Sequence, residues 1–82
     1  MKTEVIIYST TWCGFCKMAK NYMTQLGVAF TEKDVEQDPV AANEAVQKSG
    51  QMGVPVIDIS GTIIVGFAKP TIDSALQSNN LV

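Results

Sequence analysis

The sequence predicts a small α/β fold built from four strands and three helices in the order β-α-β-α-β-β-α. Four short runs are rich in β-branched and apolar residues, which is typical of strands. Between them lie stretches whose apolar residues recur with helical spacing, and two of these stretches end at a glycine. The last two apolar runs are separated by only two residues, a spacing typical of a β-hairpin. With 82 residues, the chain is expected to form a single domain over positions 1–82.

The first strand and the first helix flank a short loop. Residues 4–9 are mostly β-branched and apolar and are bounded by polar residues, which indicates a buried central strand. From Cys13 to Leu26 the apolar residues follow one face of an amphipathic helix, and Gly27 stands where such a helix ends. The residues on that face are Phe15, Ala19, Tyr22, Met23 and Leu26.

A second strand and a second helix follow. Residues 28–34 alternate between apolar and polar side chains and therefore predict a strand. Asp38 followed by Pro39 is a capping residue before a proline in the first helical position. The helix that starts there is predicted to end just before Gly50. Its predicted inner face consists of Val40, Ala42, Ala45 and Val46.

The chain closes with a hairpin and a third helix. Residues 55–59 and 62–65 are predicted strands, joined by the two-residue turn Ser60-Gly61. Because crossover connections are right-handed, the first two strands should be parallel, whereas the closing hairpin must be antiparallel. The last helix is predicted to begin near Pro70. Its inward residues are expected to be Ile72, Ala75 and Leu76.

Composition and charge exclude several classes of function. The net charge is −2 and the lysines are scattered singly, so no basic stripe is available for nucleic acid. The longest apolar runs are too short to span a membrane. The sequence contains no histidine, which excludes Cys2His2 zinc sites, Ser-His-Asp triads and histidine general bases within this chain. Because the first residues lack the apolar stretch of a secretory signal, a cytoplasmic setting is expected.

The two cysteines, Cys13 and Cys16, are the candidate catalytic residues. A disulfide between them would close a very small loop and restrain little of the unfolded chain, which suits a reversible redox pair better than a structural bridge. Cys13 stands at the start of the first helix, where backbone N–H groups and the helix dipole favour a thiolate, so we expect a depressed pKa. Cys16 lies one turn later and should be more buried and less acidic. Cys13 would then attack a substrate disulfide, and Cys16 would resolve the mixed disulfide.

Other interpretations of this region stay open from the sequence alone. The cysteines could be half of a zinc site, which would need two further ligands from another chain, or two buried structural residues. Asp58 is either a buried proton acceptor for Cys16 or a solvent-facing position of its strand. Lys20 either lowers the pKa of Cys13 or, like most exposed lysines, has no measurable effect. The acidic run over 32–38 is predicted to be solvated.

Three motifs, in the same order along the chain, resemble those of glutaredoxins. Cys13–Cys16 (Cys-Gly-Phe-Cys) followed by Ala19–Lys20 is similar to the C-x-x-C-x-x-A-K pattern of that family. Gly53–Val56 is similar to its Thr-Val-Pro segment, and Ile64–Phe67 lies where the family has a glycine-containing turn. The resemblance covers nearly the whole chain. It implies a thioredoxin fold, with a four-stranded mixed sheet in the order 2-1-3-4 flanked by three helices.

The resemblance also implies how substrate is bound. A cis peptide bond is implied before Pro55, which would leave the backbone of Val54 beside Cys13 to pair with an extended, cysteine-bearing substrate. The substrate-binding residues implied in this way are Thr11, Trp12, Phe15, Val54, Pro55, Gly66 and Phe67, with Thr10 and Lys69 at the borders of the groove.

At four positions the chain departs from the glutaredoxin pattern. Thr10 stands where a lysine is usual, and Met52 stands where an arginine is frequent. Val65 replaces a glycine, and Ala68 replaces an acidic residue. Because these changes remove charges and donors that would hold glutathione, weak coupling to glutathione is expected. The segment 65–70 instead resembles redoxins that thioredoxin reductase reduces, some of which supply electrons to ribonucleotide reductase.

The sequence therefore predicts a monomeric thiol–disulfide oxidoreductase of the dithiol glutaredoxin type. Its expected partners are proteins with disulfides or glutathione mixed disulfides, with glutathione or thioredoxin reductase returning the electrons. No tightly bound cofactor, metal, nucleic acid or membrane is expected. One alternative is an electron donor to ribonucleotide reductase coupled to thioredoxin reductase. Another is a [2Fe–2S] carrier, because Cys-Gly-Phe-Cys differs by one atom from the Cys-Gly-Phe-Ser of monothiol glutaredoxins, which bridge a cluster between two chains.

Overall fold

The structure, a computed structural model, describes residues 5–11, 13–50 and 55–79. Strands and helices follow one another in the predicted order. The elements are β1 (Val5–Ser9), α1 (Gly14–Gln25), β2 (Thr31–Asp34), α2 (Pro39–Ser49), β3 (Val56–Ile59), β4 (Thr62–Val65) and α3 (Lys69–Ser78). Within these described stretches, none of the helices has the length and apolar character needed to cross a bilayer.

The strands form one mixed sheet in the order β2-β1-β3-β4, which confirms the thioredoxin fold implied by the sequence. β1 and β2 are parallel, whereas β3 is antiparallel to both of its neighbours. Val56, the first residue of β3, lies opposite Tyr8 near the end of β1 and opposite Val65 at the end of β4. The chain segments that follow β1 and β4 and the one that precedes β3 therefore meet at one edge of the sheet.

Each face of the sheet packs against helices and buries its own core. On one face, α1 and α3 cover the larger core, which includes Val5, Ile7, Ala19, Met23, Ile57, Ile59, Ile64, Ile72, Ala75 and Leu76. On the opposite face, α2 covers a smaller core formed by Tyr8, Ala41, Ala45 and Val56. Because side chains alternate along a strand, neighbouring residues of β1 and β3 serve the two cores in turn. The predicted inner face of α3 is confirmed.

The ends of the helices lie where the sequence predicts them. The Asp38 carboxylate accepts hydrogen bonds from the backbone N–H groups of Val40 and Ala41 and so caps α2. Gly27 and Gly50, which follow α1 and α2, have φ angles of 73° and 75°. This left-handed conformation favours glycine and allows the chain to leave a helix sharply.

Two strands are shorter than predicted. β2 begins at Thr31 instead of Val28, because the Val28 N–H donates to the Met23 carbonyl at 2.9 Å and completes the end of α1. β3 begins at Val56, after Pro55, which has no N–H to contribute to a ladder. The closing hairpin itself is confirmed. Its two turn residues have φ angles of 51° (Ser60) and 98° (Gly61), as a type I′ turn requires.

On the predicted inner face of α2, Ala45 is confirmed and Ala42 is half-buried, whereas the two valines are wrong. Ala41 and Ala45 are buried, whereas Val40 is 68% exposed and Val46 is 37% exposed. The prediction favoured the larger apolar residues, but the helix packs through its alanines. Small side chains at these two positions allow α2 to approach the ring of Tyr8 closely.

Because α2 has a side-chain cap and α3 lacks one, substitutions at their N-caps are expected to change the free energy of unfolding in opposite directions. Asp38 caps α2 through two hydrogen bonds, whereas Ala68 at the N-cap of α3 offers no side-chain hydrogen bond. We expect Asp38→Ala to lower the free energy of unfolding by about 1 kcal/mol and Ala68→Asp to raise it by a similar amount. Urea denaturation measures both changes, with Asp38→Asn as the control that should retain most of the cap. An Ala68→Asp variant no more stable than wild type would contradict this account of α3.

Candidate active site

Cys13 is the N-cap of α1 and lies at the edge of the sheet where the loops meet. Its backbone is extended, with φ −86° and ψ 116°, and its carbonyl accepts the first helical hydrogen bond from Lys17 N–H at 3.3 Å. Its sulfur accepts a hydrogen bond from the backbone N–H of Cys16, with a donor-to-acceptor distance of 3.2 Å. The sulfur therefore replaces the oxygen of an ordinary capping side chain and receives one of the N–H groups that a helix start leaves open.

Cys16 differs from Cys13 in its surroundings. It is completely buried, whereas Cys13 is 7% exposed. Burial raises the pKa of the Cys16 thiol to about 12, and its hydrogen bond with Cys13 contributes in the same direction. A hydrogen bond from the Thr10 backbone and the charge of Lys20 lower it to a lesser extent. Cys13 is therefore the more accessible of the two sulfurs, and Cys16 is a thiol at neutral pH.

A charged cluster lies beside Cys16 on the α1 face of the sheet. The Lys20 ammonium contacts the Glu32 carboxylate at 2.7 Å, and the buried Ser9 hydroxyl donates to the same oxygen at 2.7 Å. Both contacts lower the pKa of Glu32. Because Lys20 is one turn beyond Cys16 on α1, its charge acts on that thiol. Ser9 and Glu32 are not among the site residues predicted from the sequence, and only the one-turn spacing between Cys16 and Lys20 indicates this cluster.

The loop between β1 and α1 presents both buried and exposed residues. Thr11 is exposed, and Phe15 in the first turn of α1 is 62% exposed, so both are available to a substrate. Thr10 is only 5% exposed, which places it beneath the surface of the predicted groove. Among the described residues its hydroxyl oxygen has no hydrogen-bond partner. Trp12, the other residue predicted here, lies outside the described residues.

The far side of the predicted groove is built on Pro55 and Gly66. Pro55 is buried, and its carbonyl accepts a hydrogen bond from the Gly66 N–H at 2.8 Å. Gly66 has a φ angle of 80°, which favours glycine at this turn out of β4. Phe67 is only partly buried and makes an edge-to-face contact with Tyr22, with ring centroids 5.8 Å apart. The sequence-predicted Phe67 therefore packs mainly toward the core of α1 and α3.

Several predictions fall on residues 51–54, which lie outside the described residues. They are the substrate-pairing backbone of Val54, the cis bond between Val54 and Pro55, and the replacement of an arginine by Met52. These three stay predictions from the resemblance.

Asp58 has neither of the two roles considered from the sequence. Its side chain lies on the α2 face of the sheet, opposite the face that Cys16 packs against, so it is not the proton acceptor of that thiol. It is not solvent-facing either, since it is 9% exposed. Its carboxylate contacts the Lys48 ammonium at 2.6 Å and accepts the Gly61 N–H at 2.8 Å. Asp58 therefore joins α2 to the closing hairpin.

The described residues do not form a metal site by themselves. In the described ranges, no three Cys, Asp or Glu side chains lie together as a metal site. A [2Fe–2S] cluster requires four ligands, so this chain's cysteines would need partners from a second chain and from glutathione. The described residues by themselves do not fit such a cluster.

Two cysteines at a helix start, on a β2-β1-β3-β4 sheet with three helices, are typical of redox proteins of the thioredoxin-fold class. A family model described as Glutaredoxin matches residues 5–64. The chain belongs to the glutaredoxin family and is a thiol–disulfide oxidoreductase.

Individual relatives agree with this assignment. The chain is 42% identical over 71 residues to a glutaredoxin-like 8.6 kDa protein of the rubredoxin operon of Clostridium pasteurianum, covering 87% of this chain and 95% of that protein. It is 43% identical over 71 residues to a thioredoxin-like protein from the SPbeta prophage of Bacillus subtilis, covering 79% of this chain and 84% of that protein. Among solved structures, the glutaredoxin of Methanosarcina mazei superposes with a TM-score of 0.81 at 29% identity, covering 89% of this chain and 77% of that one.

Proposed function

We propose that this protein reduces disulfides by a two-cysteine exchange in which Cys13 is the nucleophile and Cys16 is the resolving thiol. The observation that carries the proposal is the 3.2 Å hydrogen bond from Cys16 N–H to Cys13 Sγ at the start of α1. A backbone N–H aimed at a sulfur, together with the helix dipole, stabilises a thiolate relative to a thiol. The difference in burial supports the order of attack, because the more exposed cysteine must meet the substrate.

The exchange has two balanced steps. First, the Cys13 thiolate attacks one sulfur of the substrate disulfide, so a bond forms between these sulfurs, the substrate S–S bond breaks, and the other sulfur leaves as a thiolate. Second, Cys16 gives its proton to water and attacks Cys13 Sγ, which forms the Cys13–Cys16 disulfide and breaks the mixed disulfide, and the substrate sulfur leaves as a thiolate. Each departing thiolate is then free to take a proton from water. Two electrons have passed from the two cysteines to the substrate.

The substrate is proposed to lie along the sheet edge beside Cys13. The exposed Thr11 and Phe15 support one side of this groove, and the hydrogen-bonded pair Pro55 and Gly66 supports the other. Trp12 and Val54 are proposed to complete it, as the resemblance implies. Recognition would then depend chiefly on main-chain pairing, which suits either a peptide or glutathione.

We propose that thioredoxin reductase, in preference to glutathione, returns the electrons to the cysteine pair. Thr10, in place of a lysine, is buried and offers no charge to a glutathione carboxylate. Ala68, in place of an acidic residue, has no side-chain acceptor for an ammonium group. The similarity to a thioredoxin-like prophage protein supports the same direction. An alternative within this proposal is that the protein passes these electrons on to ribonucleotide reductase.

The protein is further proposed to act as a monomer in the cytoplasm. A reducing compartment suits a pair of cysteines that must return to the thiol form after each exchange. The cluster-carrier alternative would instead give a coloured dimer that absorbs visible light. A colourless monomer in size-exclusion chromatography is the expected result, and a brown dimer would favour the carrier.

The choice of reductant gives a direct prediction. With NADPH and a protein disulfide as substrate, we expect thioredoxin reductase to sustain turnover at least about tenfold faster than glutathione with glutathione reductase, because several charge-assisted contacts to glutathione are missing. NADPH oxidation measures both rates, with each reductase alone as the control. Equal or faster turnover with glutathione would overturn the assignment of the reductant. Absence of turnover with both systems and with dithiothreitol would overturn the proposed function itself.

A further inference from the structure

The Thr10 hydroxyl is a buried polar group whose hydrogen bonding is incomplete. Thr10 is 5% exposed, and its hydroxyl oxygen has no hydrogen-bond partner among the described residues. The neighbouring Ser9 is also completely buried, but its hydroxyl donates to Glu32 at 2.7 Å. A buried hydroxyl without a partner destabilises a fold, and valine would fill nearly the same space without that penalty. Its presence at Thr10 therefore calls for a reason other than stability.

The position of Thr10 supplies that reason. Its backbone hydrogen-bonds to the Cys16 sulfur, and because this bond favours the charged form of the thiol, Thr10 is the donor. The Thr10 hydroxyl belongs to the same residue and is buried in the same region as the completely buried Cys16. Rotation about a single side-chain torsion carries the hydroxyl among three staggered positions around that backbone. The unpartnered hydroxyl thus belongs to the residue whose backbone already donates to the resolving sulfur.

The resolving step needs such a donor. To attack the mixed disulfide on Cys13, Cys16 must give up its proton inside a site closed to solvent. Burial opposes this ionisation and raises the pKa of the thiol to about 12. Lys20, on the same helix, provides the nearby positive charge, but that charge is already engaged with Glu32 at 2.7 Å. A neutral hydroxyl can stabilise the transient thiolate without adding a charge that would itself require compensation.

We propose that the Thr10 hydroxyl donates a hydrogen bond to the Cys16 thiolate during resolution, so that Thr10 is a specific donor for the second step of the exchange. This proposal rests on the proposed two-cysteine function and adds a residue to it. In the reduced protein the hydroxyl has no hydrogen-bond partner among the described residues. It gains one when the Cys16 proton leaves, and the thiolate then attacks Cys13 Sγ and expels the substrate sulfur.

Thr10→Val is the decisive variant, because it removes the hydroxyl and keeps the shape. Mixing the reduced protein with 5,5′-dithiobis(2-nitrobenzoic acid) releases one coloured thiolate when Cys13 attacks and a second when Cys16 resolves. We expect Thr10→Val to slow the second release by about tenfold or more, since a hydrogen bond to a charged group is lost. The first release is recorded in the same trace, so the rate of the second release relative to the first is the measured quantity, and this ratio should fall by about tenfold or more.

Thermal unfolding distinguishes this role from a structural one. Thr10→Val should melt several degrees higher than wild type, because it removes a buried hydroxyl that has no partner in the described part of the chain. Ser9→Ala should melt lower, because it breaks the bond to Glu32. A variant that is more stable and yet slower in one step cannot owe its slowness to damaged folding. Thr10→Ser, which restores the hydroxyl, should recover the second release to within about threefold of wild type.

Three outcomes separate the role of Thr10 from the two-cysteine function. An unchanged second release in Thr10→Val, with wild type reacting in two phases, overturns the role of Thr10 and leaves the proposed function intact. A slow second release that Thr10→Ser fails to recover also overturns it, since the hydroxyl would not be the cause. A wild-type protein that releases no second thiolate overturns the two-cysteine function itself.

Discussion

A Cys13→Ser variant is expected to lose all disulfide-reducing activity, leaving only the rate of the reaction without protein. Serine keeps the capping geometry at the start of α1, because a hydroxyl can accept the Cys16 N–H as the sulfur does. Its oxygen is not ionised at neutral pH and does not exchange with disulfides. Reduction of insulin or hydroxyethyl disulfide, with dithiothreitol or the preferred reductase as electron source, measures the loss.

Cys16→Ser is the matched control for this loss. It keeps Cys13 and therefore the first step, but it removes the resolving thiol, so a mixed disulfide between Cys13 and the substrate should accumulate. Mass spectrometry of the intact protein, without reductant, detects the added substrate. If Cys13→Ala kept full activity, or if the trapped substrate were found on Cys16 in a Cys13→Ser variant, the two cysteines would have exchanged roles.

A Lys48→Met variant is expected to lose about 2–3 kcal/mol of the free energy of unfolding. This loss is smaller than that for breaking a fully buried ion pair, because the Lys48 side chain is partly exposed to solvent. Lys48 holds the Asp58 carboxylate at 2.6 Å and donates to the Tyr8 hydroxyl at 2.8 Å. The Asp58 side chain is only 12% exposed, so removing the ammonium leaves a carboxylate largely shielded from water. Methionine keeps the packing of the alkyl chain, so the loss measured by urea denaturation reports the charge and its hydrogen bonds.

Lys33→Met is the control on the same face of the sheet. Lys33 also lies over the ring of Tyr8, but its partner Glu44 is more exposed than Asp58, so its loss should be barely measurable. A cost for Lys33→Met equal to that for Lys48→Met would contradict the argument from burial.

The effect of Lys48 also has a defined dependence on pH. Asp58 and, less strongly, Tyr8 raise the pKa of Lys48 above its ordinary value of 10.5. Because the raised pKa belongs to the folded state, the stabilisation is complete below that ordinary value and is lost only as the pH rises through the folded-state pKa. The difference between wild type and Lys48→Met should therefore be constant from about pH 6 to about pH 9 and should narrow at higher pH.

Most elements of the fold were predictable because their signals are local. The caps and stops at Asp38, Gly27 and Gly50 depend on backbone conformations that few other residues adopt, so they mark helix ends without tertiary information. The same holds for the Ser60-Gly61 turn, whose two positive φ angles allow the tight hairpin. The position of Cys13 at a helix start followed from the end of the first strand and the helical spacing of the apolar residues after it, and the backbone geometry agrees with Cys13 as the N-cap of α1.

The errors arose where packing between elements decides. On α2, the sequence offers valines and alanines at helical spacing, and only the approach to Tyr8 selects Ala41 and Ala45 as the inner pair. For Asp58, the pairing with Lys48 joins residues from α2 and β3, which no local pattern reveals. The contact of Lys20 with Glu32 across α1 and β2 is of the same kind.

The complete burial of Cys16 constrains the kinetics of the whole cycle. In the proposed exchange, an external thiol reaches the oxidised pair through the sulfur of Cys13, the same sulfur that is proposed to receive the substrate. The electron donor and the electron acceptor must therefore react at Cys13 one after the other, and neither can be bound there while the other reacts. Initial rates measured at several concentrations of both should give parallel double-reciprocal lines, the signature of ping-pong kinetics.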